Sequence, residues 1–96
     1  MIEPETKKIL VECARKYGAR TVWLFGSALR DEASAADIDI GVEGLDREKA
    51  WEMYSELFDR IYEERGKALD FVEMDEPLSI IHVIKAEGMK IYDVAS

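Results

Sequence analysis

The chain has 96 residues, 48% hydrophobic and 35% charged, which predicts one soluble globular domain with a modest core. Its net charge of −8 argues against generic DNA or RNA binding, which needs lysine and arginine to neutralise phosphates, but leaves a metal-bridged nucleotide open. One cysteine excludes an internal disulfide framework, and no apolar run has the length of a membrane span or the character of a signal peptide, so we expect a cytoplasmic protein.

Hydrophobic spacing, together with the positions of glycine and proline, predicts helices and strands in strict alternation. In chain order these are a helix over 4–17, a strand over 20–25, a helix over 27–34, a strand over 37–42, a helix over 45–65, a strand over 67–74, a helix over 78–87 and a strand over 89–94. Ser27 is expected to be the N-cap of the second helix, and Asp46 that of the third.

Two side-chain patterns on the predicted helices indicate packing. Cys13 shares a face of the first helix with other apolar residues, so we expect a buried structural thiol. On the helix over 45–65, apolar side chains recur at steps of three and four, which is typical of a face turned to the core. The side chains of this stripe are Trp51, Tyr54, Leu57, Phe58 and Ile61.

The connection lengths constrain the sheet. Only nine residues, 28–36, separate Ser27 from Asp37, whereas a parallel crossover with its helix needs a dozen or more. The first two strands are therefore expected to be antiparallel neighbours, while the long helix can carry a parallel crossover to the third strand. The expected fold is a two-layer α/β domain of the α+β type, with a mixed sheet, helices on one face and the other face open.

An unusual pair of carboxylates lies on the second predicted strand. Asp37 and Asp39 alternate with Ile38 and Ile40, so both carboxylates leave the same face, roughly 6.5 Å apart along the chain. Two ionised carboxylates this close repel, and a divalent cation such as Mg²⁺ removes the conflict. Asp70, on the third predicted strand, supplies a third acid. Ordinary solvated positions on the outer face of a strand remain the alternative for all three aspartates.

The residues before the pair suit a phosphate group. Gly26 and Ser27 end a strand and begin a helix, where a glycine lets the backbone approach a phosphate and free N–H groups attract anions. Arg30, one turn further on, could hold a phosphate oxygen. The alternative for the glycine and serine alone is a simple turn with a serine cap. The lone histidine, His82, lies on the late helix, and we expect a surface or capping role for it.

"FGSALR" followed by "DIDI" resembles the minimal nucleotidyltransferase domain of the DNA polymerase β-like superfamily. Its mark is Gly-Ser, a spacer of about ten residues, Asp-x-Asp, and a third acid on a later strand. The resemblance covers nearly the whole chain and implies a single nucleotidyltransferase domain over 1–96. The chain departs from the pattern by a nine-residue spacer, by Ala28 in place of an arginine, which removes one potential phosphate contact, and by Asp31 in place of a glycine.

The resemblance also implies a site and a reaction. Asp37, Asp39 and Asp70 would be the catalytic acids and the ligands of two Mg²⁺ or Mn²⁺ ions, with Asp70 helping to deprotonate an acceptor hydroxyl. The nucleotide-binding residues would be Gly26, Ser27 and Arg30. The reaction would transfer a nucleoside monophosphate, AMP from ATP, to a hydroxyl of a partner protein. In this family such domains pair with small helical HEPN-type toxins, so the chain would be the antitoxin.

A non-catalytic interpretation stays open at this point. The chain could neutralise a basic partner by complex formation alone, and the net charge of −8 fits that as well as it fits catalysis. The sequence leaves open the preferred nucleotide, the acceptor and the oligomeric state, including a homo-oligomer. We expect no direct contact with DNA, RNA or a membrane.

Overall fold

The computed structural model describes residues 2–96, and its elements follow the predicted alternation. They are α1 (Pro4–Tyr17), β1 (Thr21–Phe25), α2 (Ser27–Asp31) followed by a 3₁₀ turn (Glu32–Ser34), β2 (Asp37–Glu43), α3 (Arg47–Arg65), β3 (Ala68–Glu73), α4 (Ile80–Glu87) and β4 (Met89–Asp93). None of the helices described here is both long and apolar enough to cross a membrane.

Several helix boundaries differ from their predicted positions. Helix α2 ends at Asp31, where the 3₁₀ turn follows it, and α3 begins at Arg47 and not at residue 45. The N-cap of α2 is Gly26, one residue before the expected Ser27, which is itself the first helical residue. Helix α4 begins at Ile80 and not at residue 78, because the turn that follows Pro77 extends further than the apolar pattern indicates. The other predicted N-cap is confirmed: Asp46 caps α3 by accepting the backbone N–H of Lys49 at 2.8 Å.

The sheet has four strands in the order β3-β2-β1-β4. Strand β1 is antiparallel to both β2 and β4, whereas β2 and β3 are parallel. The short segment between β1 and β2 thus makes an antiparallel connection, and the 19-residue helix α3 provides the crossover between the parallel strands. The predicted mixed sheet of an α+β domain is confirmed.

Helices α1 and α3 cover one face of the sheet. Ile38 and Ile40 on β2 are fully buried beneath them, in the same core cluster as Leu10 of α1 and Leu57 of α3. Because successive side chains in a strand leave opposite faces, burial of these isoleucines directs Asp37 and Asp39 to the other face. The prediction that the two isoleucines lie beneath the helices and the two aspartates on the opposite face is therefore confirmed.

The prediction that the second face is open is wrong over most of its area: α4 packs across its centre, and the face is bare only at one end. Gly41, at its centre, has no room for a side chain: a Cβ there would lie 2.5 Å from Sδ of Met74 and 3.2 Å from Cδ1 of Ile84. Ile84 is fully buried, so α4 packs across the middle of this face. The part that remains open is the end of β2 where the two aspartates begin the strand.

A polar cluster joins α1 to α3 beside the core. The Glu56 carboxylate on α3 accepts hydrogen bonds from Lys16 Nζ at 2.6 Å, Tyr17 Oη at 2.8 Å and Cys13 Sγ at 3.3 Å. These bonds, above all the one from Lys16, lower the pKa of Glu56 to about 2. Cys13 is fully buried, as predicted, and burial followed by the nearby Glu56 raises its pKa to about 11. The thiol is therefore protonated and unreactive at neutral pH.

The aromatic stripe predicted to pack in the core is only partly buried. Leu57 and Ile61 are fully buried, but Trp51 is 66% exposed and Phe58 is 41% exposed. Helix α3 is rotated so that Ala50 and Met53 join the core and the aromatic side of the stripe turns outward. Spacing alone could not fix this rotation, because the apolar stripe is wider than the strip of helix surface that contacts the sheet.

Glu32 is the one acid whose side chain the fold encloses completely among the residues described. Its carboxylate accepts the backbone N–H of Glu3 at 2.7 Å and the hydroxyl of Thr6 at 2.5 Å, both at the start of α1. It also lies 3.7 Å from Nε of Arg65 at the end of α3. Because Glu32 directly follows α2, this cluster anchors the segment between Gly26 and Asp37 to two helices.

We predict that Glu32→Ala lowers the free energy of unfolding by about 3 kcal/mol, because it leaves buried donors without an acceptor. Urea denaturation measures the effect. The matched control is Glu5→Ala, an exposed glutamate on α1, which should cost no more than about 0.5 kcal/mol. Equal costs for the two variants would contradict this role for the buried carboxylate.

Candidate active site

The sheet register places the third predicted acid directly beside the pair. In the parallel pairing of β2 with β3, Asp39 is the partner of Asp70, and Asp37 is the partner of Ala68. Leu69, the neighbour of Asp70 in the chain, is buried on the helical face. Asp70 therefore points to the same face as Asp37 and Asp39. The structure thus brings the three aspartates together, although 31 positions separate Asp39 from Asp70 in the sequence.

Asp39 is the central carboxylate of this group. It is half-buried, whereas Asp37 and Asp70 are exposed. Burial raises the pKa of Asp39, and the negative charges of Asp70 and then Asp37 raise it further. The ionised form of Asp39 is therefore destabilised by its surroundings, as expected where several carboxylates are gathered on one face.

Gly26 lies against the Asp39 carboxylate. Its backbone has φ +75° and ψ −158°, a conformation open essentially only to glycine. A Cβ at this position would collide with Oδ2 of Asp39 and would lie 3.1 Å from its Cγ. Glycine was predicted here because it lets the backbone approach a phosphate. The structure adds a second reason, since only glycine leaves room for the aspartate on the neighbouring strand.

Ser27 and Arg30 lie next to this contact on α2. Both are exposed, with Ser27 as the first residue of the helix and Arg30 in its last turn. A cavity of about 250 Å³ lies beside them, lined on one side by Gly26, Leu29 and Arg30 and on the other by α4. A small anionic group near Gly26 would therefore find the Ser27 hydroxyl and the Arg30 guanidinium on the same short helix.

The side chain of Ala28 is not part of the exposed site. Ala28 is fully buried in the core cluster, on the opposite side of α2 from the exposed Ser27 and Arg30. The inference that Ala28 marks a lost phosphate contact stays a prediction, because the burial of a methyl group does not show where an arginine at this position would reach. The alanine reflects the close packing of α2 on the sheet.

The three aspartates are suited to a divalent metal by their chemistry. Within residues 2–96, no three His, Cys, Asp or Glu side chains converge closely enough to hold a metal ion in their present rotamers. Asp37 and Asp70 are exposed, however, and exposed side chains change rotamer on fast timescales. Carboxylate oxygens on one face, mutually repelling, are the donor set that Mg²⁺ or Mn²⁺ prefers.

Outside the aspartate cluster, the sequence predicts the position of His82 but not the role of Glu32. His82 is exposed on α4, in agreement with a surface role. The anchoring role of Glu32 was not predicted. The only signal in the sequence is an acid that precedes an alanine-rich segment, which says nothing about the three partners that reach it from other elements.

Residues 7–95 match the family described as "Polymerase beta, Nucleotidyltransferase". The chain belongs to this family. No curated protein sequence is significantly similar to it. The match spans the whole sheet, the three aspartates and all four helices except the first three residues of α1.

Several solved structures have the same fold. The chain is 19% identical to a protein in a toxin–antitoxin structure with AMP-PNP, with a TM-score of 0.69 over 92% of this chain and 73% of that one. It is 17% identical to a chain of the MntA-HepT toxin–antitoxin complex, with a TM-score of 0.67 over 97% of this chain and 74% of that one. It is 18% identical to a chain of a complex of tri-AMPylated Shewanella oneidensis HEPN toxin with MNT antitoxin, with a TM-score of 0.66 over 95% of this chain and 72% of that one.

The close approach of Gly26 to Asp39 gives a testable prediction. Gly26→Ala should lower the free energy of unfolding by about 3 kcal/mol, from backbone strain and from the collision with the carboxylate. Gly18→Ala is the matched control: its φ is +79°, but no atom lies within 4 Å of the position that a Cβ would take there. Strain alone should cost about 1 kcal/mol at that position.

A double-mutant cycle isolates the collision, again by urea denaturation. In an Asp39→Ala background, Gly26→Ala should lose the part of its cost that comes from the carboxylate, because Oδ2 and Cγ are gone. If Gly26→Ala costs the same in both backgrounds, the contact between the glycine and Asp39 does not constrain the loop.

Proposed function

We propose that this chain transfers AMP from ATP to a hydroxyl of a HEPN-type partner protein, and acts as the antitoxin of that pair. One observation carries the proposal. In a chain of the polymerase β nucleotidyltransferase family, Asp39 stands directly beside Asp70 in the sheet register, with Asp37 on the same face. A strand face of this kind has no structural need for three mutually repelling carboxylates.

The aspartates would have distinct tasks. Asp37, Asp39 and Asp70 would hold two Mg²⁺ or Mn²⁺ ions. When bound, such ions supply positive charge that stabilises the entering and leaving oxygens. The acceptor oxygen would form a bond to the α-phosphorus as the bond to the pyrophosphate oxygen breaks. Asp70 is exposed and lies on the edge strand β3, where it can accept the proton that the acceptor hydroxyl loses.

The loop between β1 and α2 would hold the triphosphate. Gly26 carries no side chain, so its backbone can approach the β- and γ-phosphates closely. The Ser27 hydroxyl would donate to a phosphate oxygen, and the Arg30 guanidinium would neutralise charge that develops on the leaving pyrophosphate. The buried Glu32 keeps this loop in place, since it fixes the segment that follows α2 to the start of α1.

The acceptor would come from another molecule. The cavity beside Gly26 measures about 250 Å³, and the phosphates that Gly26 and Arg30 would hold would leave no room in it for an acceptor. Structures of the same fold include one with AMP-PNP and one with a tri-AMPylated HEPN toxin. Both support ATP as the donor and a HEPN-type protein as the acceptor.

Neutralisation by complex formation alone is the second candidate function. It is favoured by the net charge of −8 and by the aromatic side chains that α3 exposes. A module that only binds needs no aspartate cluster. Single aspartate variants therefore distinguish the two functions, because they should lose activity only if the chain is an enzyme.

The test is incubation with labelled ATP and Mg²⁺, with and without the protein encoded by the adjacent gene. We expect an AMP-sized mass increase on the partner, mapped by peptide analysis to a tyrosine, serine or threonine. Asp37→Asn and Asp39→Asn should each reduce transfer by at least about 100-fold, because the metals carry most of the charge stabilisation. Ser27→Ala should cost about 10-fold, since backbone N–H groups still hold the phosphates. Arg30→Ala should cost more than Ser27→Ala, since it removes a full charge.

Glu5→Gln, an exposed neutralised acid on α1, is the control and should transfer AMP like the wild type. Neutralisation of the partner without any mass change, and equally by Asp37→Asn, would establish the binding module instead.

A further inference from the structure

Helix α3 exposes a row of aromatic side chains. Trp51 and Tyr62 are each 66% exposed and Phe58 is 41% exposed. The half-buried Tyr54 links the row, with its ring centroid 5.7 Å from that of Trp51 and 5.8 Å from that of Phe58. Scattered apolar residues are normal on a surface, but a contiguous aromatic row marks an interaction site. We call these four residues the aromatic row.

The aromatic row borders a groove. The groove has a volume of about 600 Å³ and lies between α3, the edge strand β3 and the turn that follows it, with Trp51, Tyr54, Phe71 and Leu78 in its lining. Phe71 packs edge-on against Tyr54 at 5.8 Å, and Leu78 is 44% exposed. A groove of this size suits an apolar side chain of a partner, and aromatic residues around such pockets contribute much of the energy of protein–protein binding.

A row of acids flanks the aromatic row on its solvent side. Glu48, Glu52, Asp59 and Glu63 are exposed and recur at steps of four, seven and four, which places them along one side of α3. Only Glu52 has a cation nearby, Lys49 at 3.7 Å. No ion pair joins the other three to a cation within the described residues. The surface therefore combines apolar rings with uncompensated negative charge.

We propose that this surface of α3, the aromatic row with its flanking acids, docks the HEPN-type partner of the proposed function. The partner would present an apolar ridge edged by lysine or arginine. This inference rests on the proposed function for the identity of the partner, whereas the chemistry of the ridge follows from the charge and the exposed rings. Complementary charge steers such an encounter and fixes its register.

Other occupants fit this surface less well. The flanking acids would repel the phosphates of a nucleic acid. A second copy of the chain, docked face to face through α3, would bring two acidic rows together. The surface also adjoins β3, the strand that carries Asp70, so a protein docked there lies at the edge of the sheet that bears the proposed proton acceptor.

The test measures, by calorimetry, the binding of the protein encoded by the adjacent gene to this chain. Combined Trp51→Ala, Phe58→Ala and Tyr62→Ala should weaken binding by at least about 30-fold, because exposed aromatic anchors dominate such interfaces. Asp59→Lys with Glu63→Lys should also weaken binding, and more so at low salt. Val94→Ala is the matched control: Val94 is 60% exposed and follows β4, at the opposite edge of the sheet.

The outcomes separate this inference from the proposed function. Asp39→Asn should bind the partner like the wild type. If the wild type binds and the triple alanine variant binds within twofold of it, the docking surface is refuted while the transfer reaction stands. Failure of the wild type to bind overturns the docking surface, whereas the transfer reaction fails only if the partner gains no AMP-sized mass. A dimer of the isolated chain that the triple variant abolishes, or RNA binding that it abolishes, would assign the surface to another occupant and overturn this inference.

Discussion

The structure depends on how it holds one carboxylate. Asp39 lies between the backbone of Gly26 and the carboxylates of Asp70 and Asp37, and its ionised form is disfavoured both by burial and by these charges. Proteins retain such a local cost where it serves a function. Here the surrounding backbone holds Asp39 in place. The parallel pairing of β2 with β3 sets Asp39 beside Asp70, and the glycine at the end of β1 leaves room for the Asp39 side chain.

The rest of the fold can be understood as support for this arrangement. Antiparallel pairing of β1 with β2 sets Phe25, the residue before Gly26, opposite Asp39. The connection between these strands is too short to stabilise itself, and the buried Glu32 fastens it to the start of α1 and to Arg65 of α3. Helix α4 closes the centre of the second face over Gly41 and leaves the aspartates accessible. At one end of the sheet, the aspartates are therefore accessible while the backbone around them is firmly held.

Much of this was predictable from local patterns. Strict alternation around Asp37 fixed the strand and its buried face, and a connection of nine residues left antiparallel pairing as the simple solution. Features that depend on tertiary packing were not predictable. The 3–4 spacing of α3 could not reveal that Leu57 faces the core while Trp51 faces solvent, and no periodic signal distinguishes the buried Glu32 from an exposed acid. Ala28 shows the same limit, because a short helix gives no indication of which side packs.

We propose that Asp39 is held at an electrostatic cost that a divalent cation bound with a nucleotide would relieve. Thermal unfolding of the wild type and of Asp39→Asn tests it most directly. With a metal chelator, the variant should be a few degrees more stable, because a destabilised charge has been removed. With Mn²⁺ and a non-hydrolysable ATP analogue, the wild type should gain at least about 5 °C and become the more stable protein. Equal shifts for both proteins on addition of Mn²⁺ and the analogue would show that Asp39 does not take part in binding them.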